Sequence, residues 1–119
     1  MSDWKILVSD GLSAGGLAIL KAAGQVDDKP GISAEELLAT AGEYDAFVIR
    51  GRTKVTAAVF EAATKLKVVG RAGVGVDNID LAAARARGVT VVNTPKSTSL
   101  AVAELAIGLM FAVARRIPF

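Results

Sequence analysis

Residues 68–80 read VVGRAGVGVDNID: an apolar pair, glycines at 70, 73 and 75, then a polar run that opens onto Leu81. An apolar run that breaks into glycines and then into a helical pattern marks the join between a strand and a helix in an α/β sheet. The dinucleotide fingerprint G-x-G-x-x-G occupies such a join. Gly73-Val74-Gly75 supplies its first half, but Asn78 stands where the third glycine belongs. This join is also the fourth along the chain, whereas the fingerprint belongs in the first βα turn of its domain. The stretch therefore does not read as a Rossmann turn. It reads as a glycine turn at the carboxyl end of a strand, the edge where open α/β sheets bind ligands. Glycines let a ligand approach the backbone, and successive N–H groups can converge on an anion. The plainer alternative is a tight turn that needs glycine only for its dihedrals.

The same alternation extends in both directions. Short apolar strands are expected at 4–9, 46–50, 67–73 and 89–95, with a weaker one in QVDDK at 25–29. Helical patterns lie between them. Ser33 with Glu36 gives one a capping-box start, Thr56 caps the next, Asn78 or Asp80 the one after, and Gly24 closes the first. The longest helix follows the last strand, at about 99–116, with Pro118 just past its end. Unbroken apolar strands joined by single helices predict a parallel sheet covered on both faces, with right-handed crossovers. Five such units in 119 residues suit a single α/β domain, residues 1–119, doubly wound and flavodoxin-like, with strand order 2-1-3-4-5.

Composition narrows the chemistry. The chain has 14 basic and 12 acidic residues, so its charge is nearly balanced, and no basic block points to nucleic acid. It has neither cysteine nor histidine, which excludes disulfides, the usual zinc sites and imidazole acid–base catalysis within these residues. The start, MSDWKILVSDG, has no signal-peptide pattern, and the apolar run 105–114 falls short of the ~20 residues of a membrane span. A cytoplasmic protein is the expectation.

Two further loops reach the same carboxyl edge. VIRGRTK, residues 48–54, ends the third strand with Arg50, Arg52 and Lys54. Arginine suits a carboxylate or phosphate through paired hydrogen bonds. Arg50 stands at the strand end and is the candidate ligand, while Arg52 and Lys54 read as a solvated basic rim. NTPKSTS, residues 93–99, offers Lys96, with Ser97 or Ser99 expected to cap the long helix. A phosphorelay receiver would need an aspartate where Arg50 stands, and a flavodoxin a better phosphate loop than DGLSAGG at 10–16.

Residues 53–118, and within them the run 70–80, VVNTP at 91–95 and VAELAIGLM at 102–110, resemble the NAD-dependent D-2-hydroxyacid dehydrogenase family; the resemblance covers residues 4–118. It implies a flavodoxin-like substrate-binding domain, followed in the family by an inserted Rossmann domain that binds NAD. These residues would then be a truncated fragment, with 99–116 as the inter-domain helix. It also implies that Arg50, Gly73, Val74 and Gly75 contact the substrate. The family's Ser or Ala after that arginine is Gly51 here, and Thr98 replaces an asparagine found in some members. The family's catalytic arginine, glutamate and histidine have no counterpart in these residues. No catalytic, cofactor-binding or metal-binding residue is therefore assigned. The implied substrate is a small anion, 3-phosphoglycerate, bound weakly and without turnover.

The long helix is apolar on almost every side, with Glu104 the only charge between 102 and 114. Such a helix must be covered. Two arrangements are open: a monomer in which it folds back onto its own sheet, and a homodimer that swaps it. Folding back is the expectation, because it closes one compact domain.

Overall fold

The computed structural model describes residues 4–118. Five strands alternate with five helices: β1 Lys5–Val8, α1 Ala14–Ala23, β2 Gln25–Asp28, α2 Ala34–Thr40, β3 Ala46–Ile49, α3 Ala57–Ala62, β4 Val68–Arg71, α4 Leu81–Ala86, β5 Thr90–Asn93 and α5 Ser99–Arg115. A 3-10 turn, Ala41–Glu43, carries α2 into β3. The strands are all parallel and ordered β2-β1-β3-β4-β5, the expected doubly wound sheet.

Local chemistry sets the helix starts. The hydroxyl of Ser13 accepts the Gly16 amide, that of Ser33 the Glu36 amide, and that of Thr56 the Val59 amide. For α4 the cap is Asp80, which accepts from Ala83, and Asn78 is released for another task. Neither Ser97 nor Ser99 caps α5: its N-cap is Thr98 without a side-chain bond, and Ser97 Oγ turns back to Thr94 instead.

Side chains alternate across each strand, so the sheet has two unlike faces. Leu7, Phe47, Ile49 and Val69 point to the face covered by α2, α3 and α4, where they pack with Leu37, Val59, Phe60 and Ala84 into the buried core. The opposite face carries Val48, Gly70 and Val92, level with one another in register. Only α1 leans on it, and α1 buries none of its own residues. Beside α1 this leaves an open apolar trough of about 280 Å3, lined in part by Leu12, Ile19, Val48 and Val92.

The long helix does not fold back over this trough, contrary to expectation. No residue of α5 is buried, and Leu100, Leu105, Met110 and Phe111 are each about two-thirds exposed or more. The reason lies in the connection. Thr94 is fastened to the Gly73 carbonyl through its amide (3.0 Å) and hydroxyl (3.4 Å), and Ser97 bonds to Thr94. That knotted turn sends the chain off the carboxyl edge, and the molecule measures 55 × 30 × 23 Å. No helix among the described residues is long and apolar enough to cross a membrane.

Candidate functional site

The neighbouring strands β3 and β4 end together. Ile49 stands opposite Arg71, and the Ala72 amide donates to the Ile49 carbonyl at 2.8 Å. Arg50 and the glycine turn therefore leave the sheet side by side. Arg50 is held by its backbone: its amide donates to Asp10 Oδ2 (2.8 Å), and its carbonyl accepts from Asn78 Nδ2 (2.8 Å). Its side chain is exposed and has no ion pair or hydrogen bond among the described residues.

The glycine turn is oriented by its carbonyls. Asn93 Nδ2 donates to the Val74 carbonyl at 2.7 Å, and Thr94 takes that of Gly73. Among the described residues, no bond uses the amides of Gly73, Val74 or Gly75. Three consecutive donors thus stand free on the turn next to Arg50, with the Gly73 and Val74 oxygens fastened elsewhere. That arrangement can receive an anion.

Sequence reasoning missed a second arginine here. The Arg71 guanidinium lies between the two glycine positions. A Cβ at Gly51 would stand 3.4 Å from its Nη2, and a Cβ at Gly73 would collide with its Nη1. Gly73 also holds a φ of +157°, a backbone conformation that other residues rarely adopt, so glycine is favoured there both by its backbone and by the room it leaves Arg71. Arg71 Nε is buried and makes no hydrogen bond. The signal was available: a charged residue closing an apolar strand, with glycines on each neighbouring turn.

Behind the site sits Asp10, whose side chain is 5% exposed. Its carboxylate accepts the amides of Arg50 (2.8 Å) and Thr53 (3.1 Å) and the Thr53 hydroxyl (2.6 Å). Burial pushes its pKa up, but the Thr53 and Arg50 hydrogen bonds and the charge of Arg52 outweigh it, and the value falls below the ordinary 3.8. Arg52 is a brace more than a solvated rim. Its Nε pairs with Asp10 at 3.2 Å, and its Nη2 donates to the carbonyls of Ser9 and Ile32. Asn78 completes the frame by donating also to the Thr53 carbonyl at 2.7 Å. Lys54 and Lys96 stay exposed at the edge.

The Asp10 carboxylate is committed to the Arg50 and Thr53 amides, the Thr53 hydroxyl and Arg52, and no histidine is present. No cluster among the described residues could hold a metal ion. A dinucleotide does not fit either: Asn78 stands where the fingerprint needs glycine, and its amide is committed to two carbonyls.

Residues 6–115 match the family described as D-isomer specific 2-hydroxyacid dehydrogenase, catalytic domain, and the chain belongs to that family of NAD-dependent dehydrogenases. The curated relatives that it matches include D-3-phosphoglycerate dehydrogenases. That of Methanocaldococcus jannaschii is 53% identical over 114 residues, which are 96% of this chain and 22% of the relative. Among solved structures, a protein from Pyrococcus horikoshii is 34% identical with a TM-score of 0.85, over 98% of this chain and 35% of that one. The NAD+-bound 3-phosphoglycerate dehydrogenase of Entamoeba histolytica is 28% identical with a TM-score of 0.78, over 93% and 39%. The chain spans about a fifth of the length of the curated relatives it matches.

Proposed function

We propose that this chain is the substrate-binding part of an NAD-dependent D-3-phosphoglycerate dehydrogenase, which oxidises 3-phosphoglycerate to 3-phosphohydroxypyruvate at the start of serine biosynthesis. The observation that carries the reading is the set of free amides at Gly73, Val74 and Gly75 beside Arg50. The substrate carboxylate would rest on those amides, and the guanidinium of Arg50, with Arg71 beneath, would supply charge. In the whole enzyme NAD would supply the hydride acceptor. The residues present here do not fit it, so their own task is to hold and orient the anion. Taken by themselves these 119 residues should show no dehydrogenase activity, and a cytoplasmic location accords with this role.

Binding by this chain alone is expected to be weak, because an exposed, hydrated anion site gains little from charge. The test is an amide NMR titration of the labelled chain with D-3-phosphoglycerate. Saturable shifts at Arg50, Gly73, Val74 and Gly75 support the reading, and a dispersed spectrum that stays still sinks it. NADH formation above a blank, in protein free of host enzyme, would overturn the expected inactivity.

Assembly belongs to the same proposal. The chain carries both an uncovered apolar helix, α5, and an uncovered apolar trough beside α1. A second copy can supply what each lacks, which makes a homodimer that exchanges α5 the favoured state over a monomer.

A further inference from the structure

A second cleft lies between the starts of α2 and α3 and shares no residue with the glycine turn or with Arg50. It has a volume of about 330 Å3. Its floor is apolar, made by Leu37, Leu38 and Val59. Its rim is cationic: Arg52 and Lys54 line it, and no carboxylate does.

The two cations differ. The Arg52 guanidinium is anchored to Asp10 and to the carbonyls of Ser9 and Ile32, so it forms a fixed wall. The Lys54 side chain has no ion pair or hydrogen bond among the described residues. The hydroxyls of Ser33 and Thr56, also in the lining, each accept a helix amide, which leaves their protons free to donate. The cleft thus joins an apolar floor to one uncommitted positive charge and two donors. An inorganic anion would leave the floor unused, and a neutral apolar molecule would leave the charge unused.

We propose that this cleft binds a small amphipathic carboxylate, its alkyl part on Leu37, Leu38 and Val59 and its carboxylate at Lys54. The cleft shares Arg52 and Thr53 with the frame behind Arg50 but none of the proposed substrate contacts, and it does not depend on the dehydrogenase reading.

The test is a titration of the 15N-labelled chain with hexanoate, and in parallel with 1-hexanol and inorganic phosphate. Hexanoate should give saturable shifts at Leu37, Leu38, Lys54 and Val59, with phosphate binding there more weakly and 1-hexanol more weakly by up to about fivefold, the ceiling for one exposed charge pair. Lys54→Gln, at an exposed position, should weaken hexanoate by about the same factor and leave 1-hexanol unchanged. Ala58→Leu, which fills the cleft from an exposed lining position, should remove binding of both. Four results would each overturn the proposal: no saturating shift, equal affinity for hexanoate and 1-hexanol, indifference to Lys54→Gln, or shifts confined to Arg50 and 73–75.

Discussion

The carboxylate of Asp10, at the end of β1, accepts the backbone amide of Arg50, at the end of β3, at 2.8 Å. One buried side chain thereby fixes the position of the candidate ligand arginine without touching its guanidinium. Substituting Asp10→Asn removes a charge that holds three donors and Arg52. Unfolding in denaturant at pH 7 should show a loss of about 1.5–3 kcal/mol, the range for hydrogen bonds to a charged group.

The same aspartate makes a pH prediction. Its folded-state pKa lies below the ordinary 3.8. Above 3.8 the carboxylate is ionised both folded and unfolded, and its contribution is complete. As pH falls through the lower, folded-state value, the native carboxylate is protonated and the contribution disappears. Stability should therefore fall with acidification below pH 3.8, and part of that slope should be absent in Asp10→Asn.

Asn78 ties the turn after β3 to the turn after β4 through the carbonyls of Arg50 and Thr53. Asn78→Ala leaves both without this donor. The expected cost is about 1–3 kcal/mol. Hydrogen exchange should speed up across 50–53, and 3-phosphoglycerate shifts should shrink with it. Unchanged exchange would show that Asn78 does not frame the site.

Gly73 and Arg71 compete for the same space. Gly73→Ala should cost roughly 1–3 kcal/mol, from its φ of +157° and from the displaced guanidinium together. In an Arg71→Ala background the guanidinium is gone and only the backbone share of that cost remains. A double-mutant cycle measures the difference, and additive effects would exclude the steric account.

The α5 proposal is tested by Leu109→Glu with Phe111→Glu. Both side chains are exposed in the single chain, so the sheet's stability should move by no more than about 0.5 kcal/mol. Association measured by light scattering across a dilution series should vanish. A concentration-independent monomer in the unsubstituted chain would remove the exchange altogether.

The sheet was legible because its signals are local. Ser33, Thr56 and Asp80 mark helix starts within a few residues, and the apolar runs around Leu7, Phe47 and Val69 need both faces of a parallel sheet. Arg50 was legible as a strand-end cation. What stayed hidden depends on contacts far apart in sequence. Arg52 read as a surface charge because its partners, Asp10 and Ile32, lie 42 and 20 residues earlier in the chain. Arg71 was hidden within a run dominated by its glycines. The direction of α5 depends on how Thr94 and Ser97 fold on one another, which helical periodicity does not encode.

The exposure of α5 also divides the molecule thermally. The sheet and its three covering helices share one core and should melt as a cooperative unit. A seventeen-residue helix with no buried residue has only its own backbone bonds and intrinsic propensity to hold it, and such helices unwind gradually in water. At dilutions where no second copy covers it, warming should drain helical signal from the far-ultraviolet spectrum well before the packing around Trp4 and Tyr44 gives way.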